Sequence, residues 1–281
     1  MSILGVSSYF LWTEKGMTIM PLVRGSGFCV AFDLASGFHK YHVLTAAHIV
    51  NPIRYRQIFG NSEGLNAIGE RHLYARALVS PPYSPETDVR NLRRLVEERK
   101  SNITATIFLE GKKNYFPNCD VASLRCKNEA ALASSDTRPF EVDHQPIQQG
   151  DDLVYLGVEA MEDKRNPHDN GLVLCQRRIE GKSEAAVLTE DYGPAVVGTA
   201  EEELPLSMCG GPVIRKSTGK CIGVIVAQVR TSPPPAVTPK PPVVDPWLDV
   251  SNSDDLRQIT NLRAAFVPFA EFYKKMRQTE L

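Results

Sequence analysis

Short runs of apolar or alternating residues recur along most of the chain: VSSYFLW (6–12), GFCVAFD (27–33), YHVLTAA (41–47), ITATIFLE (103–110), DLVYLGV (152–158), GLVLCQRRI (171–179) and CIGVIVAQV (221–229). Many are rich in Val, Ile, Tyr and Phe and are bounded by Gly, Asp, Asn or Pro, the composition of strands and the turns that join them. Many short strands without alternating helices predict antiparallel barrels or sandwiches rather than a parallel sheet. Two segments break the pattern. SPETDVRNLRRLVEERK has Ser84 placed as an N-cap, Pro85 in the first turn and Leu92, Leu95 and Val96 on one face, which predicts an inserted surface helix over about 84–100. FAEFYKKMRQTEL (269–281) predicts a C-terminal helix after the strand-like NLRAAFVP (261–268).

SPPPAVTPKPPVVDP (232–246) lacks too many backbone donors to form a central strand or a helix. It reads either as an extended surface loop or as a polyproline ligand for a protein partner. Length and charge narrow the remaining classes. The 281 residues suit one large domain or two ordinary ones. With 32 basic and 33 acidic side chains there is no global field to hold nucleic acid. No apolar run approaches the roughly 20 residues that span a bilayer, so no membrane association is expected. Six cysteines (Cys29, Cys119, Cys126, Cys175, Cys209 and Cys221) are too sparse for a disulfide scaffold and contain no CxxC pair for zinc. The first residues lack a basic n-region, which predicts an intracellular protein and leaves cytoplasm and mitochondrial matrix both open.

The candidate chemistry lies in three segments. GSGFCVAF (25–32) precedes VLTAAHIV (43–50), which contains His48; CDVASL (119–124) contains Asp120; SMCGGPVI (207–214) contains Cys209 and precedes GKCIGVIVAQV. In this order they resemble the chymotrypsin-fold proteases, whose motifs read LTAAH, D-[IV]-A-x-L and G-x-S-G-G-P. QPIQQGDDLVYLGV (145–158) further resembles the strand opening the second barrel of the high-temperature-requirement serine proteases. LRAAFVPFAEFYKKM (262–276) resembles the strand and helix that close their protease domain. The resemblance implies an all-β fold of two chymotrypsin-like antiparallel β-barrels, supplemented by the inserted and C-terminal helices. The first barrel would occupy 1–140 with His48 and Asp120, and the second 141–281 with Cys209 and the Pro-rich loop.

The chemistry explains the residue types. A nucleophile loses a proton as it attacks a carbonyl, an imidazole can take it near neutrality, and a carboxylate holds that imidazole in the right tautomer. The resemblance therefore implies Cys209 as nucleophile, His48 as base then acid, and Asp120 as the orienting group. Asp88, inside the predicted helix, is the alternative carboxylate. The amides of Ser207 and Cys209 would form the oxyanion hole, and Val226, Ala227 and Gln228 would bind substrate as an added strand. No metal or organic cofactor is implied.

The departures shape the functional expectation. Cys209 stands where most cellular relatives have serine, as in the chymotrypsin-fold cysteine proteases of positive-strand RNA viruses; Ile225 replaces the histidine that those enzymes link to glutamine selectivity. Ser207 replaces a glycine of the oxyanion hole, and residues 204–208 run one longer than the related segment. Two functions follow: a cysteine endopeptidase acting on peptide or protein substrates, or an inactive homologue serving as a subunit of a larger assembly through the Pro-rich loop or the inserted helix. Three further groups carry two readings each. His39 and His42 are metal ligands or a solvated hairpin tip. Glu201, Glu202 and Glu203 select basic substrates or form an acidic surface loop. Asn102-Ile103-Thr104 is a glycosylation sequon that matters only in a secreted protein.

Overall fold

A computed structural model describes residues 3–12, 18–33, 39–55, 69–80, 94–98, 100–109, 114–116, 119–126, 137–161, 171–189, 193–230, 262–272 and 276. Their strands are β1 (Ile3–Trp12), β2 (Thr18–Asp33), β3 (His39–Ala46), β4 (Leu73–Val79), β5 (Ala105–Phe108), β6 (Asn114–Tyr115), β7 (Val121–Arg125), β8 (Asp152–Met161), β9 (Val173–Thr189), β10 (Gly193–Ala200), β11 (Pro212–Arg215), β12 (Lys220–Arg230) and β13 (Leu262–Pro268). The chain is all-β, as the alternating runs predict. A seven-stranded sheet in the order β5-β4-β1-β2-β3-β7-β6 precedes a closed barrel in the order β10-β13-β12-β11-β8-β9. One antiparallel bridge, Leu109 to Cys126, joins the ends of β5 and β7 and curls the first sheet round on itself. This is the two-sheet architecture of a chymotrypsin-like fold.

Side-chain alternation gives each sheet an interior. Leu4, Val6, Cys29, Val43, Ala75, Ala77, Ile107 and Leu124 fill the first, and Leu153, Tyr155, Ile179, Val213, Ile222 and Phe266 the second. A third cluster lies across the seam: Phe28, Val30 and Leu44 meet Val154, Val158, Val224 and Val226. Phe269, Phe272 and Met276 seal it from the C-terminal segment, where residues 269–272 and 276 are helical. Their spacing of three and four puts them on one helical face, and Phe272 packs against Phe116, just after β6, with ring centroids 5.4 Å apart and planes tilted by 37°. Of the inserted helix predicted over 84–100, residues 94–97 are helical; 84–93, with Asp88, and 99 lie outside the described residues, as does the Pro-rich loop 232–246.

The segment joining the two sheets is part of both. Phe140 bridges Val30 of β2 and Val142 bridges Cys221 of β12. The bend after them is fastened by Arg215, whose guanidinium is buried. It donates through Nη1 to Asp143 Oδ2, through Nε to Asp151 Oδ2 at 3.2 Å, and through Nη2 to the carbonyls of Pro146 at 2.8 Å and Gln145 at 3.3 Å. Asp143 also accepts from the Gln145 amide and the Thr218 hydroxyl. Burial works against its charge, but these donors together with Arg215 hold its pKa below 3.8. Such a pair is structural because removing one partner leaves the other charge buried and unmatched. R215A is expected to cost about 3–5 kcal/mol, read as a lower urea midpoint. Because the Asp143 pKa is lowered, its contribution is present above pH 3.8 and lost on acidification; the difference between wild type and R215A therefore narrows at acid pH.

Candidate active site

Strand register brings His48 to Asp120. β3 pairs with β7 so that Ala46 faces Val121, which sets the next residues of β3 against the one preceding β7. The Ala47 amide continues the ladder by donating to Asp120 O at 3.2 Å. The chain then turns into the short helix Ala47–Val50. Both carboxylate oxygens of Asp120 serve one residue: Oδ1 accepts the His48 amide at 2.8 Å, and Oδ2 faces His48 Nδ1 in a short hydrogen bond. Neither side chain has appreciable contact with solvent. Burial, the largest single effect, disfavours the imidazolium; the charge and hydrogen bond of Asp120, then the hydrogen bond and charge of Cys209, outweigh it and raise the His48 pKa from 6.5 to about 10. Tyr55, from the turn Pro52–Tyr55, packs edge-on against the imidazole at 6.2 Å.

Cys209 enters from the second barrel, on the turn that leads into β11. Gly210 has φ +88, and a Cβ there would lie 2.1 Å from Ser26 O, so both backbone conformation and space require glycine. Gly211 needs its bare Cα for space alone, since a Cβ would lie 2.0 Å from Leu156 O. Their ladder bonds, Gly210 N to Ile225 O at 2.7 Å and Ile225 N to Gly211 O at 2.9 Å, tie the turn to β12. The Cys209 thiol is buried and donates to Val226 O at 3.6 Å. His48, Asp120 and Cys209 are thus assembled where the first sheet meets the barrel.

The amides assigned to an oxyanion hole stand differently. Leu206–Met208 forms a 3-10 turn, within which the Cys209 amide donates to Leu206 O at 3.2 Å. Ser207 turns its carbonyl to the Ser26 hydroxyl at 2.7 Å, and its own hydroxyl accepts the Ala160 amide at 3.1 Å. Ser26 is a junction that sequence reasoning missed. Its amide donates to Cys209 O at 2.7 Å, its carbonyl accepts the Thr45 hydroxyl at 2.7 Å, and its hydroxyl also accepts the Val158 amide at 2.8 Å. The only signal in the sequence is a serine between two glycines, Gly25 and Gly27, ahead of the histidine segment.

Val226, Ala227 and Gln228 lie on β12 beyond its last pairing with β11 at Val224; Ala227 and Gln228 pair with β13, and Val226 sits at the register shift before them. All three are buried, and Gln228 Nε2 is a buried donor with no described acceptor. Glu201, Glu202 and Glu203 are exposed, and Glu202 pairs with Arg177 at 3.1 Å, as an acidic surface loop would. His42 overturns the expectation of a solvated hairpin tip: it is buried in the first sheet, with Nδ1 2.7 Å from Ser123 Oγ. The side chain of His39 lies outside the described residues. Among those described, no group of His, Cys, Asp and Glu could hold a metal ion. Asn102 of the sequon has its side-chain amide engaged at both ends by Leu174, at 2.8 Å each, so the folded chain does not present it. Burial raises the Cys221 thiol to about 12 and also raises Cys175, the groups of inert thiols.

No protein-family profile matches this chain, and no curated protein matches it. Among solved structures, the crystal structure of the MamO protease domain from Magnetospirillum magneticum (apo form) is similar over 96% of this chain and 94% of that one, at 10% identity and a TM-score of 0.45. The two-sheet assignment stands on the strand pairing described above. Among the described residues, no helix is long and apolar enough to cross a membrane.

The raised His48 pKa has a consequence for stability. The imidazolium contributes fully below pH 6.5, and the contribution is lost as pH rises towards about 10. The urea midpoint of the wild-type protein is expected to fall across that window, and that of D120N to fall less. Equal slopes would show that Asp120 does not hold the charge.

Proposed function

We propose that this chain is a cysteine endopeptidase in which Cys209 is the nucleophile, His48 the general base and then acid, and Asp120 the group that orients His48. The observation that carries the reading is the use of both Asp120 oxygens on His48, with Cys209 packed in the same core cluster as Ala47 and Ile49, the residues on either side of His48. A carboxylate fixing an imidazole against a thiol is the arrangement nucleophilic acyl transfer needs. As Cys209 Sγ bonds to the scissile carbonyl carbon, the proton shared between thiol and imidazole is held by His48, where Asp120 favours the imidazolium, and the carbonyl electron pair moves onto oxygen. Collapse of that intermediate breaks the C–N bond, and His48 returns the proton to the departing amine. Water, deprotonated by His48, then cleaves the thioester and restores the thiol. Substrate would lie along Val226–Gln228 as an added strand. The carbonyl of Val226, which accepts a hydrogen bond from the Cys209 thiol, would lose that contact once the proton is held by His48.

A second reading has its own support. The Cys209 amide is bonded within the 3-10 turn, and Ser207 anchors that turn through both its carbonyl and its hydroxyl. An inactive homologue acting as a subunit would keep such a turn for packing, and the inserted helix and Pro-rich loop would be its partner surfaces. Labelling with iodoacetamide, located by peptide mass spectrometry, separates the two. The peptidase reading expects modification of Cys209, slowed by about 100-fold or more in H48A. An unlabelled Cys209 in folded protein, with a biological role that survives C209A, would establish the subunit instead.

A further inference from the structure

The turn before Cys209 is held closed from three directions. Inside it, the Cys209 amide donates to Leu206 O at 3.2 Å and the Met208 amide to Pro205 O at 2.8 Å. From the first sheet, the Ser26 hydroxyl donates to Ser207 O at 2.7 Å. From the barrel, the Ala160 amide donates to Ser207 Oγ at 3.1 Å. Beneath the turn, Met208 is fully buried against Gly157, where an added Cβ would lie 2.9 Å from Met208 Cα. With its proton already given to Leu206, the Cys209 amide has none to offer the negative oxygen that forms during acyl transfer. Stabilisation of that oxygen depends on donors already aimed at it.

We propose that Ser26 and Ser207 are positioning residues that latch the nucleophile turn closed, and that acyl transfer by Cys209 proceeds only when this latch opens. The proposal rests on the peptidase reading of Cys209. Opening is local: the Ser207 carbonyl leaves Ser26, the Leu206 carbonyl leaves Cys209, and the freed amide turns to the reacting carbonyl. Ser26 keeps its bond from the Val158 amide, and its backbone keeps Cys209 O and the Thr45 hydroxyl, so the seam between the sheets survives the change. Leu206, whose carbonyl must move, is 41% exposed. An apolar side chain of an arriving peptide can settle on it and favour the open turn.

Two electrophiles distinguish the latch from the triad. Iodoacetamide reacts by displacement at a saturated carbon: Sγ bonds to carbon, iodide leaves, and the thiol proton goes to His48. No oxyanion forms, so the latch is irrelevant. A p-nitrophenyl ester of an N-acylated amino acid requires the oxyanion: Sγ bonds to the carbonyl carbon, the thiol proton goes to His48, and p-nitrophenolate departs. S207G removes the barrel-side anchor and frees the backbone; S26A independently removes the anchor from the first sheet, together with the acceptor of the Val158 amide, so S207G is the cleaner variant. Since an oxyanion donor is worth about 100-fold or more in rate, each variant is expected to raise the p-nitrophenolate burst rate of the full chain at least about tenfold, with the iodoacetamide rate at Cys209 unchanged. A purely structural role for the serines would move both rates together. Unchanged or slower acylation in both variants, with alkylation retained, overturns the latch and leaves the peptidase reading standing. Absence of His48-dependent alkylation in the wild type overturns both.

Discussion

A carboxylate without solvent contact must be surrounded by donors, and the placement of Asp120 organises much of the first sheet. An unmatched buried charge costs several kcal/mol. Asp120 meets that demand with one residue, taking both the backbone amide and the ring nitrogen of His48. This requires the chain to leave β3 in a tight helical turn directly opposite the start of β7, which the Ala46–Val121 register provides. The same bonds fix which imidazole nitrogen faces the carboxylate and therefore which is left for Cys209. The geometry that makes the fold tolerable electrostatically is also the geometry a base needs.

The other half of the site is governed by neutral hydrogen bonds at the seam. Ser26 joins β2 to β3, to β8 and to Ser207 and Cys209 of the turn before β11. Its hydroxyl donates to Ser207 and accepts from Val158, while its backbone amide and carbonyl make the bonds to Cys209 and Thr45. Holding Ser207 gives a part-buried carbonyl its partner, while the Cys209 amide is directed at Leu206. The site combines an imidazole with strong charge support and a Cys209 turn closed by its own hydrogen bonds.

The alternating runs were sufficient to place most strands, because a half-buried strand writes its two faces into every second residue. Two strands were disguised. LYARALV, now β4, is built of Leu, Ala and Arg, which favour helices, although its burial alternates strictly over Leu73, Ala75 and Ala77. GPAVVGTA, now β10, carries Gly and Pro that read as a turn, whereas Gly198 is needed beside Tyr155, whose hydroxyl would lie 2.3 Å from an added Cβ. His42 differs from expectation for a related reason: HKYH is polar in isolation, but alternation sends His42 inward to Ser123.

The sequence by itself determined an all-β chain, two polar interruptions with helical spacing, and a His, an Asp and a Cys in motifs that require turns at those places. These are local properties: periodicity, glycine tolerance and missing proline donors act over a few residues. Only the tertiary structure decided that Asp120 meets His48, that Arg215 clamps the joining segment, and that Ser26 holds Ser207 across 181 positions of chain. Partners so far apart leave no local pattern, since any serine can donate and any carbonyl accept until folding brings one pair together. The direction of the Cys209 amide belongs to the same class: it depends on which carbonyl packing has left within reach.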